Sequence, residues 1–223
     1  MTRVVRGIAI NDTEICGPAC TTRDEYGRKQ NYPDYALWYG MLVRCTCEKT
    51  KQRNPTYKCV TCHPEWLLRS NFKLWYNEQP CYLSMDGTRL DLDKDILVRG
   101  NTEYGPDRCC LVPRYLNTIL GSGLHSSSGM PMWVTFQPEV NSLNPYRSSM
   151  SGINSNYLHV GCFPTALDAH KAAQLAKAEV ISHTIEHKYK LEPSYRQDVA
   201  QALRDRVDQL LSDAANNIET KLL

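Results

Sequence analysis

The 223-residue sequence has no apolar run approaching the ~20 residues that a membrane span needs, and its start, MTRVVRGIAINDTEICG, lacks the apolar core of a secretory signal. Both absences point away from the membrane and toward the cytoplasm as the expected location. Net charge is also small, +2 at neutral pH, so charge alone announces no nucleic-acid partner. Its distribution is more informative: residues 1–64 hold ten Lys/Arg against six Asp/Glu, a sum of +4, which leaves −2 for residues 65–223. A basic amino-terminal third can meet phosphate, or simply form a solvated face. Histidine is scarce too, with six in all and none between His63 and His125, which limits where an imidazole base can stand.

What the chain does have is apolar content of 42 %, enough for a core, and ten cysteines. In a reducing compartment such cysteines serve as metal ligands or buried thiols more often than as disulfides. Six of them (Cys16, Cys20, Cys45, Cys47, Cys59, Cys62) fall within the first 62 residues. Zinc takes thiolates tetrahedrally, and short C-x(n)-C spacings let one turn supply two of them. "CTC" at 45–47 is followed by "CVTCH" at 59–63, so Cys59 and Cys62 are the most ligand-like pair, with His63 adjacent, Cys45 or Cys47 as partners, and the pair Cys109-Cys110 able to reach back. A structural zinc on Cys45, Cys59, Cys62 and Cys109 is one expectation; buried small thiols are the other.

Residues 1–32 show no sustained period and read as a loop-rich arm. From Pro33, Tyr35, Trp38, Met41, Leu42 and Cys45 recur at helical spacing behind a proline suited to a first turn. Trp66, Leu67, Phe72, Trp75 and Tyr76 predict a turn and a short helix ended by Pro80, with these aromatics as core. Residues 89–98 alternate and read as a hairpin bent around Lys94, and "LVPRYLNTIL" offers one or two helical turns. "GSGLHSSSG" is small and polar, so a linker is expected over 121–130. Beyond it, "MWVTFQPEV" and "NYLHVGCF" look like strands, with a Ser/Asn-rich hairpin or loop between them. Thr165 and Asp168 form an approximate capping box before an alanine-rich helix to Lys190. After a break at Pro193-Ser194, a last helix carries Val199, Leu203, Val207, Leu210, Ala214 and Ile218 on one stripe, to be covered by the chain itself or by a second copy in a homo-oligomer.

The densest chemistry lies in "LDLDKDILVRGNTEYGPDRCC" (90–110). Regular alternation puts Asp91, Asp93 and Asp95 on one face, where like charges repel unless a divalent cation such as Mg2+ or Mn2+, or a salt-bridge partner, sits among them. The run from Leu92 to Pro113, with "MLVRC", "NPTYKCVTCHPEW" and "SNFKLWY" upstream, resembles phage-encoded HNH-endonuclease-like proteins over residues 33–120. The words "YLHVGCFPTALDAHKAAQLAKAEVI" (157–181) resemble the last strand, turn and helix of an Apetala-type DNA-binding domain, placed at 131–191 ahead of a carboxy-terminal helix over 192–223.

The resemblance implies an α+β fold: a ββα-metal (HNH-like) domain joined to a small three-stranded sheet packed on a helix, with a C-terminal amphipathic helix. It implies a bacteriophage-type protein that binds double-stranded DNA and hydrolyses phosphodiesters with a metal. Asp93 takes the metal-ligand position, Lys94 stands where the histidine base would be, and Asn101 or Asn117 supplies the later asparagine. Trp133, Arg147 and Arg99 are the implied DNA contacts. A lysine of ordinary pKa, about 10.4, is a poor base at neutral pH. Lys94 therefore implies either lost hydrolysis or another role, such as steadying a water or the scissile phosphate as in PD-(D/E)xK nucleases, whose motif "DLDK" echoes. The alternative expectation is a non-catalytic protein that holds nucleic acid or a host protein on the same scaffold.

Overall fold

The computed structural model describes residues 3–13, 21–23, 25–121, 129–140, 142–153 and 156–223. Cys16, Cys20 and most of the expected 121–130 linker lie outside these residues. The fold is mixed α and β with several small sheets. The chain forms two compact units: residues 1–82 with 91–111, and residues 83–90 with 112–223. The amino-terminal 32 residues thus belong to the first unit rather than preceding it, and the expected block at 33–120 is divided between the two.

In the first unit, β1 (Arg3–Val5) and β2 (Ala9–Asn11) form an antiparallel hairpin whose turn places Arg6 and Gly7 at positive φ, and β3 (Thr21–Arg23) pairs with β4 (Lys29–Asn31). The arm read as loop therefore carries two hairpins, too short to leave a periodic signal. Helix α1 (Pro33–Thr46) starts with proline at its first turn, as expected, and buries Trp38, Met41 and Leu42. After α2 (Glu48–Arg53) and β5 (Thr61–Cys62), a 3-10 turn at Pro64–Leu67 leads into α3 (Arg69–Asn77).

The Trp66 ring meets Phe72 edge-on at 5.0 Å and Trp75 at 4.8 Å, and Trp38 Nε1 donates to the Trp66 carbonyl at 2.7 Å. Burying rings of this size is worth roughly 4–6 kcal/mol each as an upper bound, which fixes them as core. Beneath them the buried Arg69 guanidinium bonds Asp34 Oδ2 (2.9 Å), Thr13 Oγ1 and Asn11 Oδ1, tying α3 to α1 and β2.

Strands β6 (Asp91–Asp93), β7 (Glu103–Tyr104) and β8 (Cys110–Val112) complete this unit, the chain leaving it at the end of β8. Their pairing differs from the expected hairpin at 89–98: β6 pairs with β8, and β7 pairs in parallel with β5. The reason is that residues 94–102 curl into a side-chain-bonded loop and offer no second strand.

In the second unit, α4 (Arg114–Leu120) precedes a three-stranded antiparallel sheet of order β11-β10-β9, built from β9 (Val134–Phe136), β10 (Tyr146–Ser151) and β11 (Tyr157–Phe163). The stretch read as intervening loop thus contains the central strand, β10, whose serines lack a strand-like signature. Helix α5 (Ala166–His187) packs on this sheet. Its start has the expected cap, Thr165 Oγ1 accepting from the Asp168 N–H at 3.1 Å. Lys177, fully buried on α5, donates to the Ile119 carbonyl at the end of α4 (2.9 Å), and burial pushes its pKa down to about 8.

Helix α6 (Gln197–Asn216) lays Val199, Leu203, Leu210 and Ala214 against α5, so the stripe is covered within the chain. Ile218 departs from the stripe and is exposed, because Asn217 adopts a left-handed φ of 54° and ends the helix before it. The tail then folds back: the Thr220 N–H donates to His170 Nε2 at 3.0 Å. Among the described residues no helix is long and apolar enough to cross a membrane.

Candidate functional site

The loop after β6 is organised by two side chains. Asp93 Oδ1 accepts from the backbone N–H groups of Asp95 (2.9 Å) and Ile96 (2.7 Å), an Asx turn that bends the chain out of the strand. Lys94 and Asn101 then lock the loop's two ends reciprocally. Lys94 Nζ donates to the Asn101 carbonyl (3.0 Å), and Asn101 Nδ2 donates to the Lys94 carbonyl (2.6 Å) and the Glu103 carbonyl (2.7 Å). Asn101 Oδ1 accepts from the Glu103 N–H at 3.1 Å and from Arg108 Nη1 at 3.4 Å. Lys94 is only 8 % exposed and its ammonium also pairs with Asp95 Oδ2 at 2.7 Å. Held by a carboxylate and a carbonyl, Lys94 is arranged as a structural clamp that closes the loop.

The three aspartates do not form one row. Asp91 and Asp93 flank the buried Leu92 on β6, Asp93 turns back onto the loop, and Asp95 reaches Lys94. Burial, and next the Asp95 carboxylate, push the Asp93 carboxyl up to about 6, against the pull of its two N–H donors. A hydrated Mg2+ or Mn2+ is usually held by one or two carboxylates with water and substrate phosphate, and Asp93 and Asp95 are the two carboxylates of this loop. They do not make an all-protein cage: among the described residues no three His, Cys, Asp or Glu side chains come close enough to hold a metal ion.

The thiols follow the same pattern of proximity without convergence. Burial pushes Cys45, Cys62 and Cys109 up to about 11, 12 and 12, and Cys45, Cys109 and Glu103 add to the effect at Cys62. Cys62 Sγ stands 4.0 Å from Met41 Sδ, and Gly105 N–H donates to Cys109 Sγ at 3.4 Å. Cys59 is exposed. Cys109 is buried and Cys45 and Cys62 are half-buried, and among the described residues they do not converge as the tetrahedral set that zinc takes.

The parallel pairing of β5 with β7 brings in residues that sequence inspection missed. Thr61 lies opposite Glu103 and Cys62 opposite Tyr104, and the His63 N–H continues the ladder to the Tyr104 carbonyl at 2.7 Å. His63 thereby lines a polar cleft of about 330 Å³ with Glu103, Gly105, Asp107 and Arg108. Gly105 leaves room for His63, a Cβ there falling 3.1 Å from His63 Cβ. Arg108 Nη1 stands 3.6 Å from Glu103 Oε2 while reaching Asn101 Oδ1, which links this cleft to the Lys94–Asn101 lock. Only the word "CVTCH" marked His63, as a neighbour of zinc ligands; no spacing rule connects it to residue 103.

Asn117 lies on α4 in the second unit, and Arg99 is exposed at the loop tip before Gly100, whose φ is 74°. On the outer face of the second unit's sheet, Arg147 lies over the Tyr157 ring at 5.7 Å, with Nη2 donating to the Tyr157 hydroxyl and Nη1 to Gln137 Oε1 at 3.5 Å. Its Nε is buried and has no hydrogen-bond partner among the described residues. Trp133 is placed differently from its expected role as a base reader. It is 6 % exposed, stacked 6.0 Å from His170 with the Lys177 ammonium 5.6 Å from its ring centre, so it belongs to the core. No protein-family model, curated protein or solved structure matches this chain.

Proposed function

We propose that this chain is a DNA-binding protein of the HNH-endonuclease-like class, in which the three-stranded sheet of the second unit docks on the duplex and the Asp93 loop of the first unit meets the phosphodiester backbone. The observation that carries the reading is the outer sheet face. There the Arg147 guanidinium is pre-set over the Tyr157 ring and tied to its hydroxyl, the kind of oriented cation that contacts phosphate or a guanine edge. Support from the first unit is the pairing of β6 with β8 around a side-chain-locked loop, together with the Asp93 carboxyl, desolvated beside the Asp95 carboxylate, a pair that suits Mg2+ or Mn2+. With a cation bound, Asp93 would supply its free carboxylate oxygen, and the metal would contribute charge to the phosphate.

The test has two arms. Duplex binding by fluorescence anisotropy across a salt series should weaken as salt rises, and Arg147→Ala should lower affinity and flatten the slope by about one unit. Absence of duplex binding at low salt removes the proposal. Plasmid incubated with Mg2+ or Mn2+ should be nicked by the wild type and not by Asp93→Ala.

One observation favours a second reading, a non-catalytic protein that holds nucleic acid or a host protein. Lys94 is committed to Asp95 and Asn101, so nothing at that position takes a proton from water. Binding without cleavage under either metal would select it, and affinity insensitive to salt would point to a protein partner.

A further inference from the structure

We propose that the cleft between His63 and the 103–108 loop is a phosphodiester-binding site, in which the Arg108 guanidinium and the Nε2–H of His63 grip the non-bridging oxygens of one backbone phosphate. The inference rests on the DNA reading only for the source of the diester. Its first support is the tautomer. His63 Nδ1 accepts from the Glu65 N–H at 3.4 Å as it caps the turn at Pro64, so the proton of the neutral ring belongs on Nε2. The imidazole is therefore presented as a donor, and the lack of a side chain at Gly105 leaves it room, since a Cβ there would fall 3.1 Å from His63 Cβ.

The second support is Arg108. Its guanidinium lies along the same cleft, braced by Asn101 Oδ1, and is paired with Glu103 at 3.6 Å in a half-exposed contact. Such exposed pairs contribute little, so an incoming oxyanion displaces Glu103 at small cost and gains a charge-assisted, fork-shaped contact.

The third support selects the class of phosphate. Glu103 and Asp107 line the same cleft, and two carboxylates repel a dianionic monoester more than a monoanionic diester. A cleft of about 330 Å³ holds one phosphate with its flanking sugar atoms. The site therefore suits the interior of a nucleic-acid backbone better than a phosphorylated end.

The experiment uses the full chain, 15N-labelled, with dimethyl phosphate as the diester probe and methyl phosphate as the monoester, in metal-free buffer. The His63 imidazole and Arg108 guanidinium signals should shift saturably with dimethyl phosphate, and more weakly with methyl phosphate. His63→Ala and Arg108→Ala should each reduce dimethyl phosphate affinity about tenfold or more, the loss of one hydrogen bond to a charged group. His63→Gln, which keeps an N–H donor, should retain most of it. Circular dichroism of each variant controls for folding. No saturable shift, unchanged affinity in Arg108→Ala, or tighter binding of the monoester overturns the proposal. Duplex DNA binding on the same samples separates the two readings. If DNA binds while His63 stays unmoved by both DNA and dimethyl phosphate, this site is refuted and the DNA reading stands. If dimethyl phosphate binds as described and DNA does not, the DNA reading falls and the site stands.

Discussion

Replacing Asn101 by alanine distinguishes a structural from a catalytic asparagine. The side chain is 8 % exposed and makes three short bonds to backbone: to the Lys94 carbonyl, to the Glu103 carbonyl and from the Glu103 N–H. At about 1 kcal/mol net for each, the loss comes to about 3 kcal/mol, with the longer Arg108 contact counted as nothing. Guanidinium unfolding followed by tryptophan fluorescence reports on it, because Trp38, Trp66 and Trp75 all lie in the unit that carries the loop. With slopes of roughly 2–6 kcal/mol per molar for small proteins in this denaturant, the midpoint should fall by about 0.5–1.5 M. Asn101→Asp should do no better. It keeps the acceptor for Glu103 N–H but sets a second oxygen against two carbonyls at 2.6 and 2.7 Å. A midpoint unchanged in both variants, accompanied by loss of DNA nicking, would refute the reasoning and return Asn101 to the chemistry.

Four further outcomes are expected. Asp34→Ala strips the buried Arg69 of its carboxylate and should cost about 3–5 kcal/mol by thermal or chemical denaturation; a loss under about 1 kcal/mol would show that Asn11 and Thr13 suffice. Cys47, held down to about 7 by hydrogen bonds from Thr50 and Lys49 and from the Arg6 side chain, should be the first thiol alkylated by iodoacetamide, its rate climbing through neutral pH. Peptide mapping at pH 7 that finds Cys59 reacting faster sinks that expectation. His170 is buried with Nδ1 on the Met132 carbonyl and Nε2 receiving the Thr220 N–H, and burial lowers its pKa below the ordinary imidazole value. Its contribution is therefore complete above the unfolded-state pKa of about 6.5 and lost as pH falls below it. Melting temperature should drop from pH 7.5 to 5, and less steeply in His170→Gln; equal slopes reject the assignment. Metal analysis decides the zinc expectation: one zinc per purified chain requires Cys59 to turn inward beside Cys45, Cys62 and Cys109, whereas none leaves those three as neutral thiols.

The helices were legible because their signals are local. Pro33 marks the start of α1, Thr165 with Asp168 caps α5, and the apolar stripe of α6 runs unbroken to the residue where Asn217 ends it. The strands around the candidate site were not, because each is two or three residues long and its partner is chosen by tertiary contact: Thr61 by Glu103, Asp91–Asp93 by Cys110–Val112. Asp93, Lys94 and Asn101 lie in one loop while Asn117 stands on α4, and the sequence does not make the roles of the three readable. A lysine between aspartates looks like charge awaiting a cation, and only the loop's closure shows it bound to a carbonyl seven residues on. Trp133 looked like an exposed reader because nothing in "GMPMWV" says that a residue at φ 64° turns its ring inward.

The chain's route through the two units also sets a timetable. Residues 83–90 are made between two stretches of the first unit but belong to the second, where Ser84 Oγ and Met85 N–H bond the buried Glu192 carboxylate. That partner emerges 108 residues after Ser84, roughly 5–20 s later at ordinary synthesis speeds. During that interval the segment has no native place to dock, while the first unit has only 20 or so further residues to wait for. A ribosome-bound chain stalled near residue 150 should therefore hold a protease-resistant first unit threaded by an accessible 83–90 loop, and no single cut of the gene separates one intact unit from the other.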